Sequence, residues 1–397
     1  MTERGRWQAA ARGAGLLGDD GVLRPTIFAE MSALASATGA INLGQGFPDE
    51  DGPAAVLEAA RTAIADGLNQ YPPGIGMAVL RDAIAAHQKR FYGLEVDTDR
   101  HVLVTAGATE ALAATVLALV EPGDDVVVVE PFYDAYAALT ALAGARLVTV
   151  PLASDGQPDL DRLREAITDR TRLVLVNTPH NPTGTVFARP VLELIVDLAH
   201  RHDALIVTDE VYEHLVFDGE HVPVSTLSGA WERTITISSG GKTFSTTGWK
   251  VGWIVAPEPL VRAILAVKQY LTYVNGAPFQ PAIATGLGLP DEVFTNAAAS
   301  LGERCALLST GLAAAGFEVR PAHAGYFVIA DAAPLGVTDA ADFCRDLPAL
   351  AGVVAVPVTA FVRDPAPYRT LVRFAFCKRR EVLERAAAQL AGIRGER

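Results

Sequence analysis

The chain has 397 residues, half of them hydrophobic, and a formal net charge of -13. That length favours two domains over a single core, and the acidic balance argues against nucleic acid or an anionic membrane as a partner, since both need clustered positive potential. Three scattered cysteines, Cys305, Cys344 and Cys377, and eight histidines without short ligand spacing exclude a disulfide framework and give no metal motif, so a cytoplasmic protein with reduced thiols and no metal is expected.

The N-terminus carries Glu3, Arg4, Arg6 and Arg12 with no apolar run behind them, unlike a secretory signal. The longest apolar runs, such as Ala111 to Val120, stop well short of the roughly 20 residues that span a bilayer. From about residue 52 to 285, short runs rich in β-branched residues predict seven strands: His101 to Thr105, Asp125 to Val129, Arg146 to Val150, Arg172 to Val176, Ala204 to Thr208, Thr234 to Ser238 and Lys250 to Val255. Stretches with helical spacing, such as Ala108 to Leu119 and Val191 to Ala199, lie between most of them. This alternation predicts an α/β fold of three layers, a mainly parallel seven-stranded sheet with helices on both faces. After Pro281 the pattern changes to a helix near Asn296 to Ala315, strands near Tyr326 to Ala330, Val353 to Val356 and Leu371 to Phe376, and a closing helix from Arg380. That reads as a smaller α+β domain. The expected division is a large domain over 45–285 and a small one made of 1–44 with 286–397.

In open α/β sheets ligands bind beyond the carboxyl ends of the strands, and the suggestive residues follow those ends. Thr105-Ala-Gly-Ala-Thr109 runs from a strand into a helix, so the N–H groups of Ala108 and Thr109 lie where a phosphate is favoured, or where a plain helix cap sits. Ser239 and Lys250 supply further donors. Asp209 ends an apolar strand, where a carboxylate requires a cation: a protonated ring nitrogen, a metal or an arginine. Tyr133 is a core side chain or a platform for a ring, and Asn177 to Gly184 is a turn by composition.

Lysine occurs at only five positions although the chain has 33 basic residues, and two of the five, Lys242 and Lys250, share one glycine-rich stretch. Where arginine is the habit, a retained lysine points to work that guanidinium cannot do, such as losing its proton or forming an imine. A phosphate site, a ring with a basic nitrogen and a reactive amine together describe pyridoxal 5'-phosphate.

Six blocks carry a family resemblance: Asn42-Leu-Gly-Gln-Gly-Phe-Pro-Asp49, Asn69-Gln-Tyr71, Asn177-Thr-Pro-His-Asn-Pro-Thr-Gly184, Thr208-Asp-Glu-Val-Tyr212, Ser239-Gly-Gly-Lys242 through Gly248-Trp-Lys250, and Val372-Arg-Phe374. In their order and over nearly its whole length the chain resembles the class I, fold type I aminotransferases that depend on pyridoxal phosphate. It most resembles the branch of kynurenine, glutamine-phenylpyruvate and actinobacterial N-succinyldiaminopimelate aminotransferases. The resemblance implies that Lys242 holds the coenzyme covalently, Asp209 pairs with its ring nitrogen, Tyr212 and Asn181 bond its O3', and Tyr133 stacks on the ring. Ala108, Thr109, Ser239 and Lys250 would hold the phosphate, with Tyr71 reaching in from the second subunit of a homodimer. Arg373, Asn181 and the backbone of Gly46 match the places that hold the substrate carboxylate, and Phe28 lies in the segment lining the substrate pocket. Amino acid and 2-oxo acid substrates follow, with glutamate or glutamine as donor and 2-oxoglutarate as partner.

Phe28 stands where some kynurenine enzymes have tryptophan, and Lys268 to Gln280 is nearer the succinyldiaminopimelate type. A carbon-sulfur β-lyase on the same scaffold would share every residue named. A non-catalytic coenzyme-binding regulator would need a helix-turn-helix and a basic surface, neither of which is read here. A nicotinamide enzyme is discounted, because neither Gly44-Gln-Gly46 nor Gly74-Ile-Gly76 opens a helix straight after a strand with a third glycine in place.

Overall fold

The computed structural model describes residues 5–18 and 20–395, so Glu3 and Arg4 lie outside the described residues. Its central sheet has seven strands, β1 (Val102–Thr105), β2 (Asp125–Glu130), β3 (Arg146–Pro151), β4 (Thr171–Asn177), β5 (Leu205–Asp209), β6 (Thr234–Ser239) and β7 (Gly252–Val255). They lie side by side in the order β1-β7-β6-β5-β4-β2-β3, and β7 runs antiparallel to both its neighbours while the other pairings are parallel.

Strand β2 reads Asp-Val-Val-Val-Val-Glu and is buried along its length, the composition a strand needs when both faces are covered. Successive side chains point to opposite faces. Val126, Val128, Leu173, Leu175, Val207 and Ile237 therefore pack with the helices Gly107–Leu119 and Glu258–Lys268. Their neighbours Val127, Val129, Val174, Val176 and Ile206 pack on the other side with the helix Arg189–Arg201. In that helix Val191, Leu192, Ile195, Val196 and Ala199 are buried, three and four residues apart, and Pro190 fits the first turn, where no N–H is needed.

A four-stranded antiparallel sheet, in the order Val356–Pro357, Leu371–Ala375, Phe327–Asp331 and Glu318–Val319, forms beside it. The helices Asp291–Ala315, Ala340–Ala351 and Arg380–Ala391 pack on this sheet around Leu308, Leu312, Phe343, Leu347 and Leu383. The N-terminal segment contributes to a separate two-stranded sheet, in which Ile41 and Asn42 pair in parallel with Val353 and Val354.

Four elements differ from expectation. The single strand expected near Val353 to Val356 is divided into Val353–Val354 and Val356–Pro357, which belong to different sheets. The last strand of the central sheet starts at Gly252 rather than Lys250, because Lys250 adopts a left-handed conformation, φ 54°. The helix expected from Asn296 begins at Asp291, where Pro290 sets the cap and Asp291 and Glu292 face the positive end of the helix dipole. The helix Ala340–Ala351 was not expected, since it contains Pro348; the Asp339 side chain caps its start by accepting from the N–H groups of Ala341 and Asp342.

Candidate active site

Beyond the carboxyl ends of the parallel strands lies a cavity of about 420 Å³, and its wall contains every expected site residue except Tyr71. The register explains the convergence. Asn177 and Asp209 are partners across β4 and β5, while Thr105 and Ser239 both pair with Gly252 of β7, which runs between them. A Cβ at Gly252 would stand 2.6 Å from the carbonyl carbon of Gly107 and 2.8 Å from the nitrogen of Ala108. Glycine is what lets the start of the helix Gly107–Leu119 lie against β7.

At that start the first N–H groups have no partner inside the helix. The left-handed turn at Lys250 brings its ammonium within 3.2 Å of the position a Cβ on Gly107 would occupy. Helix N-terminus, the ammonium of Lys250 and the hydroxyls of Thr109 and Ser239 thus share one end of the cavity, a set of donors suited to a phosphate.

The middle of the cavity holds Asp209. Its Oδ2 accepts from the Tyr136 hydroxyl at 2.7 Å, whereas Oδ1 is buried without a partner. Burial lifts this carboxyl above its usual range, against the opposing effect of the Tyr136 hydrogen bond. A cation at Oδ1 would satisfy the orphaned oxygen and restore the charge, so a ring carrying a protonated nitrogen fits. Asn177 braces the segment: its Nδ2 donates to the Asp209 carbonyl at 2.8 Å and its Oδ1 accepts from the Asn181 N–H at 2.7 Å. Burial pushes the Tyr133 phenol up to about 12 and raises Tyr212 well above its ordinary value, so both are neutral hydroxyls at physiological pH.

Lys242 lies in the short helix Gly240–Thr243, whose cap is Ser239 accepting from the Gly241 N–H. Its Nζ is 5.7 Å from the ring centres of Tyr212 and Tyr326, and the Tyr326 hydroxyl donates to the Lys242 carbonyl at 2.8 Å. Burial lowers its pKa, with the positive charges of Arg373 and Lys250 acting in the same direction. The amine is thereby biased toward the neutral, nucleophilic form.

At the other end Arg373 is buried under aromatic rings, its guanidinium carbon 3.8 Å from the centre of Phe327, 4.5 Å from Phe361 and 5.4 Å from Phe28. One terminal nitrogen donates to Asn181 Oδ1 at 3.1 Å and the other to the Gly44 carbonyl at 3.0 Å, while Nε is buried without a partner. Burial pulls its pKa down to about 10, which leaves it charged at neutral pH. A fixed cation with a spare donor is a carboxylate receptor.

The family model for aminotransferase class I and II matches residues 38–390. The chain belongs to this family. It is 51% identical over 385 residues to the Mycobacterium tuberculosis protein named probable N-succinyldiaminopimelate aminotransferase DapC, covering 93% of this chain and 97% of that one. It is 35% identical over 396 residues to kynurenine--oxoglutarate transaminase 3 of Mus musculus, covering 92% and 87%. The solved structure of N-succinyldiaminopimelate aminotransferase from Mycobacterium tuberculosis superposes with a TM-score of 0.93 at 48% identity, covering 99% of this chain and 100% of that one. The protein is therefore a pyridoxal phosphate-dependent transaminase of fold type I, exchanging amino groups between amino acids and 2-oxo acids.

Tyr71 of this aminotransferase sits away from the cavity, 82% exposed, with its ring edge-on to Tyr273 at 5.7 Å. Four side chains important to the site went unnoticed in the sequence: Tyr136, Tyr326, Phe327 and Glu110. The Glu110 carboxylate accepts from the Ala106 N–H at 2.6 Å on one oxygen and from the N–H (3.2 Å) and hydroxyl of Thr272 on the other. It ties the phosphate end of the cavity to the surface segment that holds Tyr273. Tyr136 and Tyr326 act on partners distant in the chain, which no local pattern marks, whereas Glu110 reaches back four residues to Ala106 as well as across to Thr272.

Proposed function

We propose that this aminotransferase moves the amino group of an N-succinyldiaminopimelate-type L-amino acid to 2-oxoglutarate. The observation that carries the reading is a pair of buried orphans on one cavity wall shared with Lys242: the oxygen Oδ1 of Asp209, waiting for a cation, and the nitrogen Nε of Arg373, waiting for an anion. The choice of substrate among glutamate, glutamine, kynurenine and succinyldiaminopimelate types is supported by the 51% identity to the mycobacterial relative.

Lys242 is the covalent anchor for the coenzyme aldehyde and, once freed, the base that takes the proton from the substrate Cα at Nζ. Asp209 would pair with the ring nitrogen, Tyr212 and Asn181 would donate to O3', and Tyr133 would offer its ring as a platform. Ala108, Thr109, Ser239 and Lys250 would hold the phosphate. Arg373, with Asn181 and the backbone of Gly46, holds the α-carboxylate so that the Cα–H bond is presented to Lys242. Phe28 bounds the space for the substrate side chain. The coenzyme supplies a cationic ring that accepts the electrons of the broken Cα–H bond.

The same reading includes a homodimer in which Tyr71 of one protomer completes the phosphate site of its partner. Its exposure together with Tyr270, Leu271 and Tyr273 is the support, because clustered exposed aromatics mark interaction surfaces. Two domains, 45–285 and 1–44 with 286–397, belong to the reading, as does a cytoplasmic location, for which the three free, buried cysteines are the support. Among the described residues no helix is long and apolar enough to cross a membrane.

The test is a substrate screen on the purified holoenzyme. N-succinyl-LL-diaminopimelate should bleach the visible coenzyme band fastest, and 2-oxoglutarate should restore it. Release of pyruvate and ammonia from sulfur amino acids would replace this reading with a β-lyase.

A further inference from the structure

Behind the turn that carries Asp209 and Tyr212 lies a second cluster of titratable groups, which the transamination site does not use. His87, in the helix Ala78–Tyr92, meets His214, five residues beyond the end of β5, with their Nε2 atoms 2.5 Å apart and their rings nearly perpendicular. The ligand atoms of His87, Glu213 and His214 all lie within 4.8 Å of one another. We propose that His87, Glu213 and His214 form a binding site for a divalent transition-metal ion of the zinc type.

Three observations carry this. Two imidazoles and a carboxylate are a ligand set that zinc and its neighbours favour, leaving a fourth position for water. The pair is closer than an ordinary N–H···O hydrogen bond, and an ion between the rings would open it by roughly 0.8 Å to the spacing of two ligands on tetrahedral zinc. Of the three, His214 also lines a separate cavity of about 240 Å³ whose wall includes Asp51 and Ser245, so one ring of the cluster borders open space.

The surroundings resemble a prepared outer shell. Glu213 accepts from the Tyr92 hydroxyl at 2.6 Å and from the Ser238 hydroxyl, which hold the carboxylate and leave lone pairs free. Gln88 is buried beside His87, its amide nitrogen 3.5 Å from Nδ1 and its Oε1 without a partner. Turned over, the amide would put Oε1 against the Nδ1–H of His87, which keeps Nε2 unprotonated and ready to bind. Glu210, paired with His221 at 2.9 Å, adds negative charge nearby, and Arg90 opposes it. His87 and His214 are 127 positions apart, so no motif of local spacing detects them.

The experiment uses untagged, chelator-washed holoenzyme titrated with cobalt chloride. One equivalent per chain should bind with the intense ligand-field bands of a four-coordinate site, and zinc chloride should displace it. The double variant His87→Gln with His214→Gln should lose the bands, while Gln88→Ala should bind cobalt about 10- to 100-fold more weakly. Both variants retain the coenzyme site, so any cobalt held there is subtracted. Wild-type protein that shows only the pale six-coordinate spectrum overturns the proposal without reference to any variant. Equal binding by wild type and the double variant overturns it as well, and leaves the two rings as a neutral hydrogen-bonded pair.

Discussion

The Tyr136 hydroxyl donates to Asp209 Oδ2 at 2.7 Å, while Oδ1 of the same cavity-lining carboxylate is buried without a partner. Tyr136→Phe should therefore leave a second buried oxygen unsatisfied and allow the carboxyl to rise further toward neutrality, since that hydrogen bond opposes the effect of burial. The cost of a lost partner, about 1–3 kcal/mol, should appear as coenzyme affinity weakened by about 5- to 150-fold in an absorbance titration.

Asp209→Asn should fold and still bond covalently to the coenzyme through Lys242. Without a charge to hold the ring nitrogen protonated, turnover should fall by at least about 100-fold. Single-turnover kinetics with the amino acid alone would show the deficit in Cα–H cleavage, and a normal rate there would contradict the role given to Asp209.

Burial holds the Lys242 amine below its usual pKa, which has a definite sign in the coenzyme-free protein. The folded state holds fewer protons on this amine than the unfolded state does between the depressed value and the ordinary one of about 10.4. The stability difference between wild type and Lys242→Met should accordingly move in favour of wild type as pH rises through that interval. Denaturant titrations of both proteins over a pH series would measure it. Reductive methylation should also label Lys242 at pH values where surface lysines stay charged.

Arg373→Lys should not be conservative. A lysine cannot serve Asn181 Oδ1, the Gly44 carbonyl and a substrate carboxylate together, nor stack flat on Phe327. The KM for the amino acid should rise on the order of 100-fold, about 3 kcal/mol, with a smaller effect on coenzyme affinity.

Gly252→Ala places a methyl group on the backbone of Gly107 and Ala108. Displacing the helix start should cost about 1–3 kcal/mol in stability and weaken binding of the phosphate more than binding of a coenzyme analogue without one. Equal losses for both analogues would show that Gly252 does not shape the phosphate end.

The strands of the central sheet were legible because each is a short β-branched run, and the site was legible because its groups follow strand ends in a fold that places ligands there. Lys242 stood out as one of two lysines in a glycine-rich stretch of a chain that otherwise uses arginine, and Asp209 as a carboxylate ending an apolar strand, whereas Arg373 was reached only through the family resemblance. What local pattern does not encode is the bracing. Tyr136 is 73 positions from Asp209, and Tyr326 acts through the carbonyl of Lys242 from 84 positions away. The left-handed turn at Lys250 was hidden for another reason, since lysine carries no preference for that conformation. Pro348 concealed a helix by the same arithmetic that usually ends one. The register that brings Thr105 and Ser239 to a single glycine appears only once β7 is seen to run between them.

The carboxylate of Glu110 answers to two masters. One oxygen holds the Ala106 N–H at the entrance of the helix Gly107–Leu119, and the other grips Thr272 in a segment facing outward. With the coenzyme phosphate at that helix, as proposed above, reciprocity requires that whatever immobilises the outward segment tightens coenzyme retention by the same free energy with which the coenzyme orders the segment. Loss of the vitamin-derived group and loosening of the molecular exterior become two readings of one equilibrium.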